Sequence, residues 1–317
     1  MRCEDLPTAD PHPETVMRML DRAVALTIPA VPKPIVGYFS KRYIAGPAVG
    51  DAFRVARALE SEGACATFDI LGENIRSLDE ARENTGAYVE LIRGIAAEGF
   101  ASINVSVKLT ALGLLLDRPE CLENARRIAG AARDAGGFLR VDMEDSPCTD
   151  ATLEVYRALR PAFGKHVGVV VQSRLRRTIE DVEALTGEPA NFRLCKGIYL
   201  EPRPIAYTDP EIIRRNFTLL LERMLERGAY VGIATHDEIL VWDALRLVRR
   251  FGLSRDRYEF QMLLGVEDEL RRILLSAGHR VRVYVPFGEQ WYAYSVRRLR
   301  ENPQIAGYAL QAIFKRG

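Results

Sequence analysis

The sequence predicts an α/β protein of the (β/α)₈ TIM-barrel type, with a helical cap before the barrel and an extra helix after it. Eight short apolar runs recur along the chain, and amphipathic helical patterns separate them. The runs are nearly continuous rather than alternating, as in parallel strands that are covered on both faces. Eight repeats of strand then helix are the count of a closed barrel. The predicted strands are 64–71, 102–109, 137–143, 166–173, 192–200, 229–236, 258–265 and 280–288.

The predicted helices end where helices commonly end. The patterns over 79–99 and 209–228 both finish in Gly, the residue most often found just after a helix C-terminus. Ahead of the first strand, residues 13–62 also carry helical patterns. We therefore divide the chain into an N-terminal helical cap, residues 1–63, and a barrel that forms one functional unit, residues 64–317.

Composition excludes several classes of protein. The 317 residues are 48% hydrophobic, and 44 basic side chains nearly balance 43 acidic ones, which gives no basic excess for nucleic-acid binding. The five cysteines are scattered without a C-x-x-C, as in a protein from a reducing compartment. The N-terminus lacks the apolar region of a signal peptide, and no apolar run approaches a membrane span. The sequence predicts a cytoplasmic protein.

The helix predicted after the last strand carries an unusual stripe. Tyr294, Arg297, Arg298 and Glu301 have the spacing i, i+3, i+4, i+7, which places them on one helical face. One reading is a solvated face with an Arg297–Glu301 pair, worth about 0.3–0.5 kcal/mol. In the other, both guanidinium groups face inward and hold an anion.

Polar side chains concentrate where the predicted strands end, and the strand starts look plainer. In barrels of this type the active site lies at the C-terminal ends of the strands, and buried charges are too costly to serve stability alone. We therefore expect a functional face there. The polar and lining candidates are Lys108, Thr110, Asp142, Glu144, Asp145, Gln172, Ser173, Arg174, Arg193, Lys196, Tyr199, Thr235, His236, Asp237, Gln261, Leu263, Tyr284 and Glu289.

The residues alone leave the chemistry of this face open. Lys108 could form a Schiff base or an ion pair with Asp142, and the ion pair is the favoured reading. His236 is the only histidine at the predicted mouth, so no metal site is expected. No G-x-G-x-x-G follows a strand, which excludes a Rossmann dinucleotide site. The excess of cations suits a carboxylate substrate, a phosphorylated cofactor or both.

Six strings carry a resemblance to a known family. SVKLTALG, VDMED, RLCKGIYLEP, ATHD, EFQMLLG and YVPFGEQWYAYSVRRLRENP, in this order and spacing, resemble the proline dehydrogenases. Those are FAD enzymes that oxidise L-proline to 1-pyrroline-5-carboxylate, the first step of proline catabolism. The length of the chain resembles the short monofunctional bacterial form rather than the long fusion with an aldehyde dehydrogenase.

The resemblance implies a substrate site. Lys108, Arg297 and Arg298 would clamp the proline carboxylate, and Asp142 would hold the cationic cluster in place. The remaining substrate-side residues would be Leu263 and Tyr294 as walls of the ring pocket and Tyr284 beneath the ring. A separate hypothesis is that Glu73, at the end of the first predicted strand, pairs with Arg297 and closes the mouth.

The resemblance also implies an FAD site. Arg193 would face flavin N5, Gln172 would lie near the isoalloxazine ring, and Glu301 would contact the ribityl chain. The other implied cofactor-binding residues are Cys195, Lys196, Gly197, Tyr199, Thr235 and His236. Leu200 departs from the long fusion branch, which has Trp there, so one aromatic contact to the cofactor would be missing.

Three other functions remain as alternatives. A hydroxyproline dehydrogenase would share the fold, although Tyr284 would leave no room for the extra hydroxyl. A Schiff-base lyase would use Lys108, and a non-catalytic barrel would sense a carboxylate. For the favoured function, the implied partners are L-proline, a membrane quinone as electron acceptor and a separate pyrroline-5-carboxylate dehydrogenase. Contact with the inner face of the membrane would then be peripheral.

Overall fold

The computed structural model describes residues 42–72, 75–186, 190–292 and 295. Within them, Arg42–Glu289 form one compact unit built around a closed barrel of parallel strands in sequence order. The strands are β1 (Cys65–Ile70), β2 (Asn104–Val107), β3 (Phe138–Val141), β4 (Val167–Gln172), β5 (Asn191–Cys195), β6 (Tyr230–Ala234), β7 (Tyr258–Leu263) and β8 (Val281–Phe287). The predicted (β/α)₈ architecture is confirmed.

The helices of this part of the chain alternate with the strands, apart from one that precedes β1. They are α1 (Val49–Ser61), α2 (Leu78–Ala97), α3 (Arg118–Asp134), α4 (Ser146–Phe163), α5 (Thr178–Leu185), α6 (Pro210–Glu226), α7 (Glu238–Arg250) and α8 (Asp268–Ser276). None of these helices is long and apolar enough to cross a membrane.

The barrel closes through the pairing of β1 with β8. Cys65 lies opposite Arg282 and the register continues to Ile70 opposite Phe287, so the two strands are paired over the whole of β1. In a parallel strand, alternate side chains point to opposite faces. One set, which includes Phe68, packs towards the surrounding helices, and the other set fills the barrel interior.

The helix starts near the C-terminal ends of the strands are fixed by side-chain caps. Ser77, Asp117 and Asp209 each accept a hydrogen bond from a backbone N–H in the first turn of α2, α3 and α6. Asp237 caps α7 in the same way, through Oδ1 and Ile239 N at 3.2 Å. Such caps satisfy donors that the helix itself leaves unpaired.

Helix α1 packs against β1 and β8 in the same compact unit as the barrel. Its Phe53 ring lies 5.9 Å from Phe68 of β1 and 5.5 Å from Phe100, within the usual range for aromatic pairs. The last part of the helical pattern predicted over 13–62 is therefore present as α1. The rest of the predicted cap lies mostly outside the described residues, and the division of the chain at residue 63 stays a prediction.

The start of the barrel is more polar than the sequence suggested. Glu259 near the start of β7 and Arg282 near the start of β8 are 2% and 3% exposed, and they are joined by a 2.8 Å ion pair. Arg140 of β3 is also buried, and it donates to Asn191 O at 3.0 Å. The expectation that the strand starts carry few polar residues is wrong. Each of these charged residues stands singly within a mostly apolar segment, so the segment as a whole still has an apolar pattern.

Replacement of Glu259 by Gln tests this buried pair. Burial raises the pKa of Glu259, but the charge and hydrogen bond of Arg282, with help from Arg280 and Gln261, bring it down to about 2. A carboxylate with a depressed pKa stabilises the fold above its unfolded value and loses that contribution as the pH falls. We expect E259Q to unfold more easily in urea at pH 7, by about 1–3 kcal/mol.

The lowered pKa of Glu259 also determines how the difference in unfolding free energy between wild type and E259Q depends on pH. It should be largest above the ordinary glutamate pKa of 4.5 and should shrink as the pH falls towards 2, where wild type protonates Glu259. Urea titrations of both proteins at pH 7, 5 and 4 measure it. A difference that grows on acidification would contradict the assigned ion pair.

Candidate active site

Asp69 is the centre of a hydrogen-bond cluster at the mouth of the barrel. This fully buried carboxylate lies near the end of β1, and its Oδ2 accepts from Lys108 Nζ at 2.9 Å. The Tyr284 hydroxyl donates to the same oxygen, and the Tyr88 hydroxyl donates to Oδ1 at 3.0 Å. Three donors from β8, α2 and the end of β2 therefore converge on one carboxylate, which fixes the Lys108 ammonium and the Tyr284 ring.

The partner of Lys108 differs from the sequence prediction, which named Asp142. Asp142 instead accepts from Arg193 NH1 at 2.7 Å and from Ser106 Oγ at 3.2 Å. Asp69 was missed because it is a single acid within the apolar run ATFDIL. An acidic residue inside a buried strand was the available signal.

Arg193 joins three strands across the barrel interior. From β5 it reaches Asp142, just after β3, and its Nε donates to Gln261 Oε1 of β7 at 2.5 Å. Its guanidinium carbon also lies 5.9 Å from the centre of the Tyr284 ring. Each contact passes over an intervening strand, so the guanidinium spans the interior. Substrate-side and cofactor-side candidates thus belong to one network.

Burial and the neighbouring positive charges shift the pKa of Asp142 in opposite directions. Burial raises it, whereas the charges of Arg193 and Lys108 lower it, and the net direction is upward. The Lys108 charge thus acts on Asp142 even though its hydrogen-bonded carboxylate is Asp69. The sequence-based role of Asp142 in neutralising the cationic cluster stays a prediction.

Gln172 and Gly197 form a cradle at the ends of β4 and β5. Gln172 is 2% exposed, and its Nε2 donates to Glu144 O at 2.8 Å. No donor among the described residues reaches its buried Oε1. Gly197 has φ +91°, and a Cβ there would collide with Gln172 Oε1. A buried acceptor without a donor, beside a position without a side chain, fits a bound planar ligand with an N–H group.

A second charged cluster follows β5 and β6. Asp237 Oδ2 accepts from Lys196 Nζ at 2.5 Å and from Arg214 Nε at 2.6 Å, while its Oδ1 caps α7. The hydrogen bonds and charges of both cations outweigh burial and lower the pKa of Asp237. Lys196 and Arg214 share Asp237, and Arg214 also lies 3.8 Å from Glu211. Cations at this position suit a phosphate group.

Thr235 and His236 complete the loop after β6. Thr235 Oγ1 accepts from Asp237 N at 3.1 Å, and His236 Nε2 accepts from the backbone N–H of Leu263 at 2.8 Å. Because a backbone N–H can only donate, the neutral His236 ring carries its proton on Nδ1. Leu263 and His236 are thereby held together, so one contact links the predicted substrate wall to the predicted cofactor side.

Cys195 ends β5, and Tyr199 and Leu200 follow it. Burial raises the pKa of the Cys195 thiol to about 11, so it stays neutral and faces Val171 O at 3.6 Å. The Tyr199 carbonyl oxygen accepts from Arg174 NH1. Leu200 is 99% exposed. Five further predicted site residues lie outside the described residues: Glu73, Tyr294, Arg297, Arg298 and Glu301.

The fold and this mouth define a class: a TIM barrel that gathers buried charged and polar side chains at the C-terminal face, where barrels of this type carry their active sites. A family model described as "Proline dehydrogenase" matches residues 52–309. The chain belongs to the proline dehydrogenase family. The predictions of the family and of an enzyme of the proline dehydrogenase class are thereby confirmed.

Individual relatives agree with this family. The proline dehydrogenase of Deinococcus radiodurans is 39% identical over 280 residues, 87% of this chain and 90% of that protein. Proline dehydrogenase 1 of Bacillus subtilis strain 168 is 34% identical over 277 residues, 87% of this chain and 91% of that protein. Among solved structures, proline utilization A of Bdellovibrio bacteriovorus inactivated by N-propargylglycine is similar, with TM-score 0.78 and 28% identity. The match covers 83% of this chain and 32% of that one.

Proposed function

We propose that this chain oxidises L-proline to 1-pyrroline-5-carboxylate with FAD bound at the mouth of the barrel. The observation that carries the cofactor is the cradle of Gln172 and Gly197, with a buried acceptor and no side chain at residue 197. The cations Lys196 and Arg214, which share Asp237, support a pyrophosphate group in the same loop region. Family membership supports the substrate.

The residues of this chain would bind and align the substrate. Lys108, held by Asp69, would bind the proline carboxylate together with Arg297 and Arg298, as the sequence predicts. Tyr284, fixed through its hydroxyl, would support the ring from below. Such alignment converts an encounter between two molecules into a reaction within one complex.

The bound FAD would supply the hydride acceptor at N5. Arg193 would lie beside it as a fixed positive charge, because Asp142 and Gln261 hold its guanidinium on two sides. A preorganised cation stabilises negative charge that develops during a reaction without any reorganisation of its surroundings. Leu263 and His236, joined through the Leu263 N–H, would complete the wall between ring and cofactor.

The alternatives are weakened by the geometry of Lys108 and Tyr284. Schiff-base chemistry needs a neutral lysine amine, whereas Lys108 Nζ is ion-paired with Asp69 at 2.9 Å. The Tyr284 hydroxyl is bound to Asp69, so the ring cannot swing aside for a substrate with an extra hydroxyl. We therefore expect the enzyme to prefer proline to hydroxyproline.

An anaerobic absorption spectrum before and after addition of L-proline tests the proposal. We expect a yellow protein whose flavin bands bleach with L-proline and bleach far more slowly with hydroxyproline. A yellow protein that bleaches only with hydroxyproline would support the related dehydrogenase. A protein that takes up no FAD would overturn the flavoenzyme proposal, and borohydride trapping of a carbonyl substrate on Lys108 would then support the lyase.

The later steps are part of the same proposal. Electrons would pass to a membrane quinone, and a separate pyrroline-5-carboxylate dehydrogenase would consume the product. We place the enzyme in the cytoplasm with peripheral contact to the inner face of the membrane. The cap of residues 1–63 and the barrel of residues 64–317 would act as one functional unit.

A further inference from the structure

Gln261 lies between a group that can only donate and a group that can only accept. Its Oε1 accepts from Arg193 Nε at 2.5 Å, and its Nε2 donates to Glu259 Oε1 at 2.6 Å. A guanidinium has no acceptor and an ionised carboxylate has no donor. A rotation of the amide by 180° would therefore break both bonds. The chemistry on either side fixes the Gln261 orientation.

The barrel wall opposite Gln261 is shaped for this side chain. Gly232 of β6 has no side chain, and a Cβ there would collide with Gln261 Nε2 and would lie 2.7 Å from its Cδ. Any larger residue at position 232 would push the Gln261 amide away from its two partners. The absence of a side chain on β6 therefore makes room for the amide of β7.

Glu259 is itself anchored at the start of the barrel. Its Oε1 accepts from Arg282 Nε at 2.8 Å, and Arg282 NH1 donates to Ala66 O at 2.7 Å. Arg280 Nε lies 3.3 Å from Glu259 Oε2. A continuous hydrogen-bonded chain thus runs from β1 and β8 through Glu259 and Gln261 to Arg193. The hydrogen bonds of this chain therefore hold Gln261 in position relative to the start of the barrel.

We propose that Gln261 and Glu259 are positioning residues that fix the Arg193 guanidinium at the mouth and thereby set the redox potential of the flavin. The effect on the flavin rests on the proposed function, whereas the hold on Arg193 does not. Asp142 accepts a hydrogen bond from NH1, at one end of the Arg193 guanidinium. By itself this bond would leave the guanidinium free to pivot about NH1. The second hydrogen bond, from Nε to Gln261, prevents that movement. A fixed cation favours the reduced, more negative flavin more than a mobile one does.

Gln261→Met is the main test, because Met fills a similar volume without hydrogen-bonding groups. In Q261M we expect the flavin midpoint potential, measured against a reporter dye, to become more negative. The rate of flavin reduction by L-proline should fall about ten- to hundredfold, the range for a lost hydrogen bond to a charged group. In E259Q the shift should have the same direction but be smaller, because a Gln at position 259 can still accept from Gln261.

Thr67→Val is the matched control. It removes another buried hydrogen bond inside the barrel, from Thr67 Oγ1 to Asn104 Oδ1 at 2.6 Å, without touching Arg193. T67V should lower stability and leave the midpoint potential unchanged. The proposal is overturned if Q261M retains FAD with the wild-type potential, or if T67V shifts the potential as much as Q261M.

A second measurement separates this inference from the proposed function. Hydrogen exchange of the Arg193 Nε–H, followed by NMR in protein without flavin, should be slow in wild type and much faster in Q261M. Equal exchange rates of the Arg193 Nε–H in the two proteins would overturn the inference that Gln261 holds the Arg193 guanidinium in place. If wild type binds no FAD but its Arg193 Nε–H still exchanges more slowly than that of Q261M, the proposed function and the effect on the flavin are overturned. The inference that Gln261 holds the Arg193 guanidinium would then remain.

Discussion

Asp69→Asn is expected to cost about 3 kcal/mol of unfolding free energy, because it removes the buried carboxylate that Lys108 hydrogen-bonds. The amide can accept from only one of its two atoms, whereas Asp69 accepts from Lys108, Tyr284 and Tyr88. Lys108 and Tyr284 should then lose their fixed positions. We expect kcat/KM for L-proline to fall at least about a hundredfold, mostly through KM.

The double variant D69N/K108M separates the stability cost of an unpaired buried charge from the loss of substrate binding. Removal of both partners of a buried ion pair is far less destabilising than removal of one. The double variant should therefore regain most of the lost stability in urea unfolding. Its binding of L-proline should stay as weak as in D69N, because the carboxylate clamp lacks its lysine. Stability and proline binding that recover together would contradict the role of Lys108.

Gly197→Ala is expected to weaken the binding of FAD strongly. At φ +91° an alanine is strained, and its Cβ would collide with Gln172 Oε1 and lie 3.1 Å from Arg174 Cγ. Gln172 cannot yield easily, since its Nε2 is held by Glu144 O at 2.8 Å. We expect the dissociation constant for FAD to rise at least about a hundredfold, corresponding to roughly 3 kcal/mol. Flavin fluorescence titration of the apoprotein measures it.

Gly228→Ala is the control that separates the effect of backbone strain from the effect of a collision between Cβ and Gln172. Gly228, after α6, has φ +74°, close to that of Gly197, but a Cβ there would have no neighbour within 4 Å. G228A should cost about 1–2 kcal/mol of stability through strain alone and should bind FAD like wild type. If G228A lost FAD as G197A does, general destabilisation rather than the cradle would explain the loss.

The sequence was sufficient for the barrel because buried parallel strands leave a strong local signal. Seven of the eight apolar runs contain one whole observed strand, and β5 begins one residue before its run, at Asn191. The helices over 79–99 and 209–228 match α2 and α6 within two residues at each end. These features depend on neighbouring residues in the chain, which a pattern can reveal. The positions of the strand ends then follow from the barrel itself.

The pairing of charges at the mouth was harder to predict. Lys108 lies near both Asp69 and Asp142, and only the barrel geometry decides that it hydrogen-bonds the first while Arg193 takes the second. Such choices depend on side-chain reach across the interior, to which local patterns are insensitive. The same holds for Glu259: the register of β7 with β8 places Gln261 opposite Arg282, yet the ion pair of Arg282 is made with Glu259.

The interior network has a consequence for how the chain folds. Its bonds join the first four strands to the last four: Arg193 of β5 binds Asp142 after β3, Arg140 of β3 binds Asn191 of β5, and Arg282 of β8 binds Ala66 of β1. Either half alone would hold buried charges whose partners lie in the other half, at a cost of several kcal/mol each. A half-barrel would lose these bonds, so we expect the two halves of the barrel to unfold together rather than one after the other.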